Sequence, residues 1–352
     1  MPRIEIEEVT TTEGLERLRP EWSTLWACCP TATPFQSPEW LIPWWRHIGA
    51  GELWALALRR AGRLIGLVPF YVYVSPGLSE RRVFLVGVGT SDYLDALFVS
   101  EFAGRGAAAA FAHLEAARQR WDVCDLQQLR PGSPLLHTPA PPGWKEELMA
   151  PEACPVLALP AAVEDLHGCV PARLLKNIRY SWRRAEQHGP VRPERADQDN
   201  LRELLESLLR LHGARWSARG LTGVLASEGV QNAHREAAPG LLSRGILRLY
   251  GLRLAGRVVA CLYGFTTAEA GRGRAYFYLG GFDPAFAHLS VGTLVIDHAI
   301  REAVREGAAE FDFLRGREAY KYRWGAQDRL TYRRLLRYAS ADSPPAPVRT
   351  RP

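Results

Sequence analysis

The sequence predicts an α/β (mixed α+β) chain of two similar domains in tandem, each a mixed sheet flanked by helices. Three observations carry that prediction. At 352 residues the chain is long for one hydrophobic core and ample for two. Runs with strand periodicity alternate with runs of helical periodicity along its whole length. The halves also repeat short blocks in the same order. Leu56-Ala57-Leu58-Arg59-Arg60-Ala61-Gly62-Arg63-Leu64 resembles Tyr250-Gly251-Leu252-Arg253-Leu254-Ala255-Gly256-Arg257-Val258. Asp95-Ala96-Leu97-Phe98 resembles Asp283-Pro284-Ala285-Phe286, and Val123-Cys124-Asp125-Leu126 resembles Glu310-Phe311-Asp312-Phe313.

The elements follow in order. Ile4 to Val9 alternates as a half-buried strand does. Residues 12 to 28 place Leu15, Leu18, Trp22 and Leu25 near one helical face. Ser37-Pro38 starts a second helix through Trp44 and Trp45, with serine at the cap and proline at the first helical position. Leu53 to Arg59 and Leu64 to Val74 read as strands joined by a hairpin turn at Ala61-Gly62. Arg82 to Val88 is another strand, an alanine-rich helix covers about 105 to 120, and Trp121 to Leu126 returns as a strand. The proline-rich stretch from Pro131 to Pro160 is expected to connect the halves.

The second half predicts helices near 172–187, 198–217, 229–243 and 292–306. Its strands are Ile246 to Leu254, Val258 to Phe265, Ala275 to Phe282, Glu310 to Leu314 and Leu330 to Tyr338. The expected domains are therefore 1–160, with the connecting segment, and 161–339, followed by a disordered tail over 340–352.

Composition removes several classes of function. No uncharged run approaches the length of a membrane span. Arg3, Glu5, Glu7 and Glu8 do not give the basic-then-apolar order of a secretory signal, so a cytoplasmic protein is expected. The six cysteines include no CxxC pair and the nine histidines show no metal spacing, so no metal is expected. GxSxG, HExxH, Walker and GxGxxG patterns are missing, which leaves hydrolase, metalloprotease and dinucleotide readings without support. A net charge of +6 admits an anionic ligand without requiring nucleic acid. Only Lys145, Lys176 and Lys321 among the 44 basic residues are lysine. A lysine inside a motif therefore marks a place for a compact or titratable ammonium.

Four places carry candidate chemistry. In Leu289-Ser290-Val291-Gly292-Thr293, small residues open a helix whose face is Val295, Ile296, Ala299, Ile300, Ala303 and Val304. Free backbone N–H groups and the helix dipole there suit a pyrophosphate, and an ordinary N-cap accounts for the same residues. The segment from Phe311 to Trp324 crowds Asp312, Arg315, Glu318, Tyr320 and Lys321 into a turn after a buried strand, which is either a site or a solvated turn over Trp324. In Gly89-Thr90-Ser91-Asp92-Tyr93-Leu94-Asp95, two carboxylates flank a tyrosine; they bind a polar or cationic acceptor or cap local turns. Arg173, Lys176, Arg179, Tyr180, Arg183 and Arg184 share a helix face suited to a phosphorylated ligand, to RNA or to solvent alone. Asp92, Tyr93, Asp95, Lys176, Arg179 and Trp216 form the expected substrate-binding set.

Four blocks together resemble one family: Phe35-Gln36-Ser37-Pro38-Glu39-Trp40, Ser91 to Asp95, Trp121 to Leu126, and Phe311-Asp312-Phe313-Leu314-Arg315-Gly316 with Glu318, Tyr320, Lys321 and Trp324. They resemble the GNAT-superfamily acetyltransferases of the CelD, or cellulose-biosynthesis, type, distant relatives of the Fem peptidoglycan aminoacyltransferases. The likeness runs from about 20 to 338. It implies tandem GNAT domains side by side, with acyl-CoA (acetyl-CoA) in the C-terminal one and an acceptor in the cleft between them. The chain departs from the family in its pyrophosphate loop. Gln or Arg followed by spaced glycines is usual there, and Ser290-Val291-Gly292-Thr293 stands in that place.

The reaction so implied moves an acyl group from CoA to an amine of a small-molecule or cell-envelope, polysaccharide-related acceptor. In it, backbone N–H groups of Leu279, Gly280 and Gly281, where paired glycines suggest a bulge, hold the thioester oxygen. Lys321 stabilises the oxyanion or an acceptor phosphate, and Glu318 or Asp312 accepts the amine proton. Tyr278 or Tyr320 protonates the thiolate, and Arg315 orients the carboxylates. Two alternatives stand beside it: Fem-like aminoacyl transfer from charged tRNA, with the 173–184 helix on phosphates, and a GNAT module that binds without turnover.

Overall fold

The pattern of apolar residues decides the first elements of the chain. The computed structural model describes residues 3–74, 80–218, 220–267 and 273–338; the expected tail over 340–352 lies outside them. Strand β1 (Glu5–Val9) leads to helix α1 (Thr12–Cys28), whose N-cap Thr11 accepts a hydrogen bond from the Gly14 amide. Leu15, Leu18, Trp22 and Leu25 are its buried stripe. Helix α2 (Pro38–His47) follows, then β2 (Glu52–Arg60) and β3 (Arg63–Val74). The continuous apolar run of β3 is buried on both faces from Leu64 to Val72, as a central strand requires. Then come β4 (Arg81–Leu85), the two-residue β5 (Leu97–Phe98), α3 (Ala103–Ala116), β6 (Val123–Leu129), α4 (Pro134–His137) and β7 (Trp144–Ala158).

The second half contains α5 (Ala172–Glu186), β8 (Val191–Arg195), α6 (Leu201–Ser217), α7 (Glu228–Ser243), β9 (Leu247–Leu254), β10 (Arg257–Thr267) and β11 (Gly273–Phe282). It ends with α8 (Val291–Arg305), β12 (Ala308–Asp312), α9 (Ala319–Tyr322) and β13 (Gln327–Tyr338). The order β1-α1-α2-β2-β3-β4-α3-β6-β7 recurs as β8-α6-α7-β9-β10-β11-α8-β12-β13. The two hairpin turns share one geometry: φ is 49° and 76° at Ala61 and Gly62, and 48° and 82° at Ala255 and Gly256. Both central residues have positive φ, the turn that matches the twist of paired strands.

The strands join in one mixed sheet, ordered β1-β2-β3-β4-β6-β13-β7-β12-β11-β10-β9-β8, with β5 paired to β3. The last strands of the two halves are exchanged. β13 lies between β6 and β7, and β7 lies between β13 and β12. Buried charge anchors the exchange. Asp125 of β6 accepts 2.8 and 2.6 Å hydrogen bonds from Arg333 of β13. The buried Arg334 beside it donates to the carbonyls of Leu135 and Thr138 and to Glu146.

The stretch from Pro131 to Pro160, expected as a connection, thus holds a helix and a central strand. Its prolines sit where the ladder tolerates them. Pro134 opens α4. Pro151 falls at the register shift between Thr331 and Arg333, where a missing N–H costs no ladder bond. Strand β8 was likewise not expected.

Apolar side chains gather in three clusters, one in each half and one between them. The middle cluster brings Phe35 and Trp40 against Phe265 and Tyr278, with ring centroids 5.3 to 5.7 Å apart. Such edge contacts contribute about 0.5–1.5 kcal/mol each beyond area burial. Helix α2 packs on α7, and His47 reaches Glu236 at 2.6 Å.

We propose that residues 1–160 and 161–338 each lack a strand that the other supplies. Either fragment expressed alone is expected to lose cooperative urea unfolding, and co-expression is expected to restore it. Circular dichroism during urea titration reads both outcomes, and a fragment that unfolds cooperatively alone contradicts the dependence.

Candidate functional site

A gap in the sheet creates the site. β11 pairs with β12 in parallel from Gly273 to Tyr276 and then parts from it. From Phe277 to Phe282, β11 keeps only its partner β10. The register passes from Tyr263↔Leu279 to Gly264↔Phe277, so Tyr278 is the extra residue of a β-bulge. The bulge therefore lies one residue before the Leu279–Gly281 segment in which it was expected. The paired glycines serve another purpose. A Cβ on Gly281 would stand 2.4 Å from the His212 amide nitrogen, so glycine lets α6 lie directly on the strand.

Two cavities flank the splayed strand and meet at Phe277, Gly280, Arg215 and Tyr320. The first, about 320 Å³, runs between Gly280–Phe282 and the start of α8, over a floor that includes Val295, Ile296 and Trp324. All four expected anion-loop residues, Ser290, Val291, Gly292 and Thr293, line it. Ser290 has a left-handed φ of 59° and accepts from the amides of Thr293 and Leu294. The amides of Val291 and Gly292 remain unbonded among the described residues. Gly292 rests near Phe282, whose ring a Cβ would meet at 3.1 Å.

The second cavity, about 370 Å³, lies between the halves and is lined by Thr90, Asp92, His212, Trp216, Tyr278, Arg315, Glu318 and Lys321, among others. The segment after β12 shapes it. Leu314 holds a φ of 56° and Gly316 one of 113°. A non-glycine residue held in that region costs on the order of 1–3 kcal/mol. Asp312 and Lys321 hold the turn. Asp312 Oδ1 accepts from the Leu314 amide at 2.8 Å. The buried Lys321 ammonium donates to the carbonyls of Leu314 at 3.0 Å and Arg315 at 2.7 Å and meets Glu318 at 3.0 Å. The turn thereby aims Arg315, whose Nε donates to Asp92 Oδ1 at 3.1 Å across the interface. Asp92 Oδ2 makes no bond among the described residues and is not sealed from the cavity. Burial pushes the Asp92 pKa up to about 6 against the opposing pull of Arg315 and Lys321.

These contacts redistribute the expected roles. Lys321 lines the cavity with its three donors engaged, so its place is that of a positioning residue rather than of a free oxyanion donor. Asp312 lines neither cavity. It is fully buried and bonded to Tyr93 at 2.7 Å, and is removed from any acceptor proton. Tyr93 is buried beside it and also lines neither cavity. Tyr278 spends its hydroxyl on the Thr90 carbonyl at 2.6 Å. Tyr320 has no such partner among the described residues and stands where the cavities meet; burial raises its pKa, so it stays protonated. Asp95 lies in a different pocket. Lys176 and Arg179 are exposed on α5, away from both cavities, because Ile178 and Ala185 are the positions of that helix that are buried.

Two residues that line the cavities were not singled out in the sequence, His212 and Arg215. Both are on α6, one turn or less before Trp216. Trp216 Nε1 donates to His212 Nε2 at 2.9 Å, which places the imidazole proton on Nδ1. Burial pushes the His212 pKa down to about 4, so the ring is neutral. Arg215 Nη1 donates to the Gly280 carbonyl at 3.3 Å. Helical spacing from Trp216 was the one available signal; close packing of α6 on Gly281 completes it.

Among the described residues no helix is long and apolar enough to cross a membrane, and no group of His, Cys, Asp and Glu is placed to hold a metal ion. Residues 172–322 match the family model for an acetyltransferase (GNAT) domain. No curated protein matches the chain in sequence. In structure the chain is similar to FemX, at 13% identity and a TM-score of 0.63, over 94% of this chain and 96% of that one. It is similar to a conserved protein of unknown function from Bacteroides thetaiotaomicron VPI-5482, at 10% identity and a TM-score of 0.56, over 96% and 100% of the two chains. It is also similar to L-PGS from Bacillus licheniformis, at 12% identity and a TM-score of 0.50, over 78% and 81%. At these identities the likeness is one of fold.

Replacing Lys321 by Met should release the strained turn. It leaves two carbonyls and a carboxylate unpaired, a loss of about 1–3 kcal/mol in the unfolding free energy. Urea titration should show this together with reduced turnover. A turnover loss with unchanged stability would return Lys321 to a direct chemical role.

Proposed function

We propose that the protein is a GNAT-type N-acyltransferase that moves an acyl group, acetyl in the simplest case, from acyl-CoA to an amine held between its halves. The observation that carries this reading is the pair of cavities meeting at the splayed edge of β11. One side has an apolar floor and the open start of α8, which fit a pantetheine arm and a pyrophosphate. The other presents the buried Asp92 carboxylate, whose Oδ2 makes no bond among the described residues. The GNAT match over 172–322 takes in the lining of the first side from Leu174 to Tyr320, with Arg323 and Trp324 just beyond it.

In the proposed reaction the amine nitrogen attacks the thioester carbon. A C–N bond forms, the C–S bond breaks, and the amine proton passes to Asp92. Tyr320 gives its proton to the departing thiolate and regains one from solvent. Arg315 holds Asp92 in place, and Lys321 and Asp312 hold the turn that carries Arg315. The edge of β11 beyond Tyr276 offers backbone donors to the developing oxyanion. Glu318, paired to Lys321 at the rim, stands on the acceptor's path. Following the resemblance to CelD-type proteins, the acceptor is taken to be an amine of an envelope or polysaccharide precursor.

A second reading has one observation in its favour. Arg173, Lys176, Arg179 and Arg183 lie exposed on α5 with no carboxylate partner among the described residues. Charged tRNA as acyl donor would use that face. Binding to tRNA that falls steeply with salt would favour it.

Two measurements test the principal reading. Calorimetric titration with acetyl-CoA should show micromolar binding that Gly292→Glu abolishes, because the substitution puts a carboxylate and its bulk beside Phe282 where the pyrophosphate belongs. No binding of acetyl-CoA or longer acyl-CoAs would sink the CoA reading. The second is the pH profile of turnover. Asp92 accepts a proton only when ionised, so kcat/KM should rise with pH through about 6. Asp92→Asn should remove that limb and lower kcat on the order of 10²–10⁴-fold. An unchanged profile in the variant would take the base role from Asp92.

A further inference from the structure

A third cavity, of about 260 Å³, is separate from the two described. It lies beside Tyr93 and is lined by Asp95 and Ser133 of the first half and by Arg130, Arg274 and Arg329, of which Arg274 and Arg329 come from the second. Arg130 lies near enough to Asp95 to act on its charge, but no ion pair or hydrogen bond joins the two among the described residues. Arg329 binds Glu310 at 2.9 Å and stands 3.6 Å from Asp312. Arg274 meets Glu310 at 3.2 Å. Arg130 has no hydrogen bond or ion pair to its guanidinium among the described residues, which lies 5.6 Å from the centroid of the Tyr93 ring. Asp95 is buried, and its Oδ1 accepts from Ser133 Oγ and the Ala96 amide, each at 2.8 Å. Its Oδ2 makes no bond among the described residues and is not sealed from the pocket.

A pocket of this size is below the ~300–1,000 Å³ of drug-sized ligand sites and suits a small metabolite. Arginine at such a place recognises a planar oxyanion by a forked pair of hydrogen bonds. A single carboxylate oxygen left open in the same pocket recognises an ammonium. We infer that this pocket binds a small zwitterion of the α-amino acid class, with its carboxylate on Arg130 and the neighbouring arginines and its ammonium on Asp95 Oδ2. Ser133 fixes the Asp95 carboxyl so that its free oxygen faces the ligand. The site is independent of the acyl-transfer reading, since it shares no lining residue with the cavities at β11.

Calorimetry on the full chain tests it, with L-alanine and L-aspartate as zwitterions and with propionate, ethylamine and inorganic phosphate as single-charge probes. At least one amino acid should bind saturably at millimolar concentration, and more tightly than any single-charge probe. Arg130→Gln should weaken that binding at least tenfold and leave acetyl-CoA titration unchanged. Asp95→Asn should weaken amino acids and spare propionate. Because Asp95 also holds the Ser133 turn, Arg130→Gln, on a partly exposed side chain, serves as the variant least exposed to misfolding. Asp92→Asn should leave amino-acid binding intact. Absence of saturable binding overturns the inference. So does binding that survives Arg130→Gln but fails in Asp92→Asn, or phosphate or propionate binding as tight as that of the amino acids.

Discussion

The backbone hydrogen bonds of β13 are the constraint on which the rest of the structure depends. This strand pairs with β6 on one side and β7 on the other, and so closes one sheet through both halves. A strand in the middle of a sheet must satisfy donors and acceptors on both edges, and neither edge is satisfied within its own half. The relative position of the halves is thus set by ladder register, not by a surface contact free to slide. Asp125 and Arg334, each about 1% exposed, reinforce the register with buried charge. Removing one partner of such an arrangement would strand the other in a low-dielectric interior.

That rigidity makes a site between halves possible. Arg315 reaches Asp92, Tyr93 reaches Asp312, and Tyr278 reaches Thr90, each across the junction. Hydrogen bonds of this length are lost once the partners separate by about 1 Å. The same turn, Ser91 to Asp95, supplies Asp92 to the cavity at β11 and Asp95 to the arginine pocket, with Tyr93 pinned to Asp312 between them. Two positions with positive φ flank the cavities. Leu314 and Ser290 adopt left-handed φ without being glycine, one beside the cavity between the halves and one where α8 begins. Buried bonds from Lys321 and Asp312 over-determine the first.

Much of the fold was legible. Periodicity placed α1, α2, α6, α7 and α8 and the hairpins β2–β3 and β9–β10 nearly to the residue, because each buries one stripe or one run of apolar side chains. The repeat of Ala61-Gly62 in Ala255-Gly256 was legible because that turn demands positive φ at both positions. The strand β7 was not. Its residues from Lys145 to Glu152 are exposed and show no polar–apolar alternation, and its prolines argue for loop; pairing with β13, and with β12 at its end, makes it a strand.

For the site, the sequence by itself singled out three segments that line the cavities: the start of α8, the Asp312–Trp324 turn and the Ser91–Asp95 turn are local patterns of small, charged and aromatic residues after strand ends. It did not determine what each side chain does. Lys321 stands out by composition, yet its ammonium is spent on backbone carbonyls that a left-handed turn brings to it. Asp312 and Asp92 look alike in sequence, and the tertiary structure alone seals one behind Tyr93 and opens the other to a cavity. His212 and Arg215 join the site because Gly281 lets a helix rest on the splayed strand. These outcomes depend on distances between residues far apart in the chain, which sequence spacing does not encode and which the exchanged strands fix.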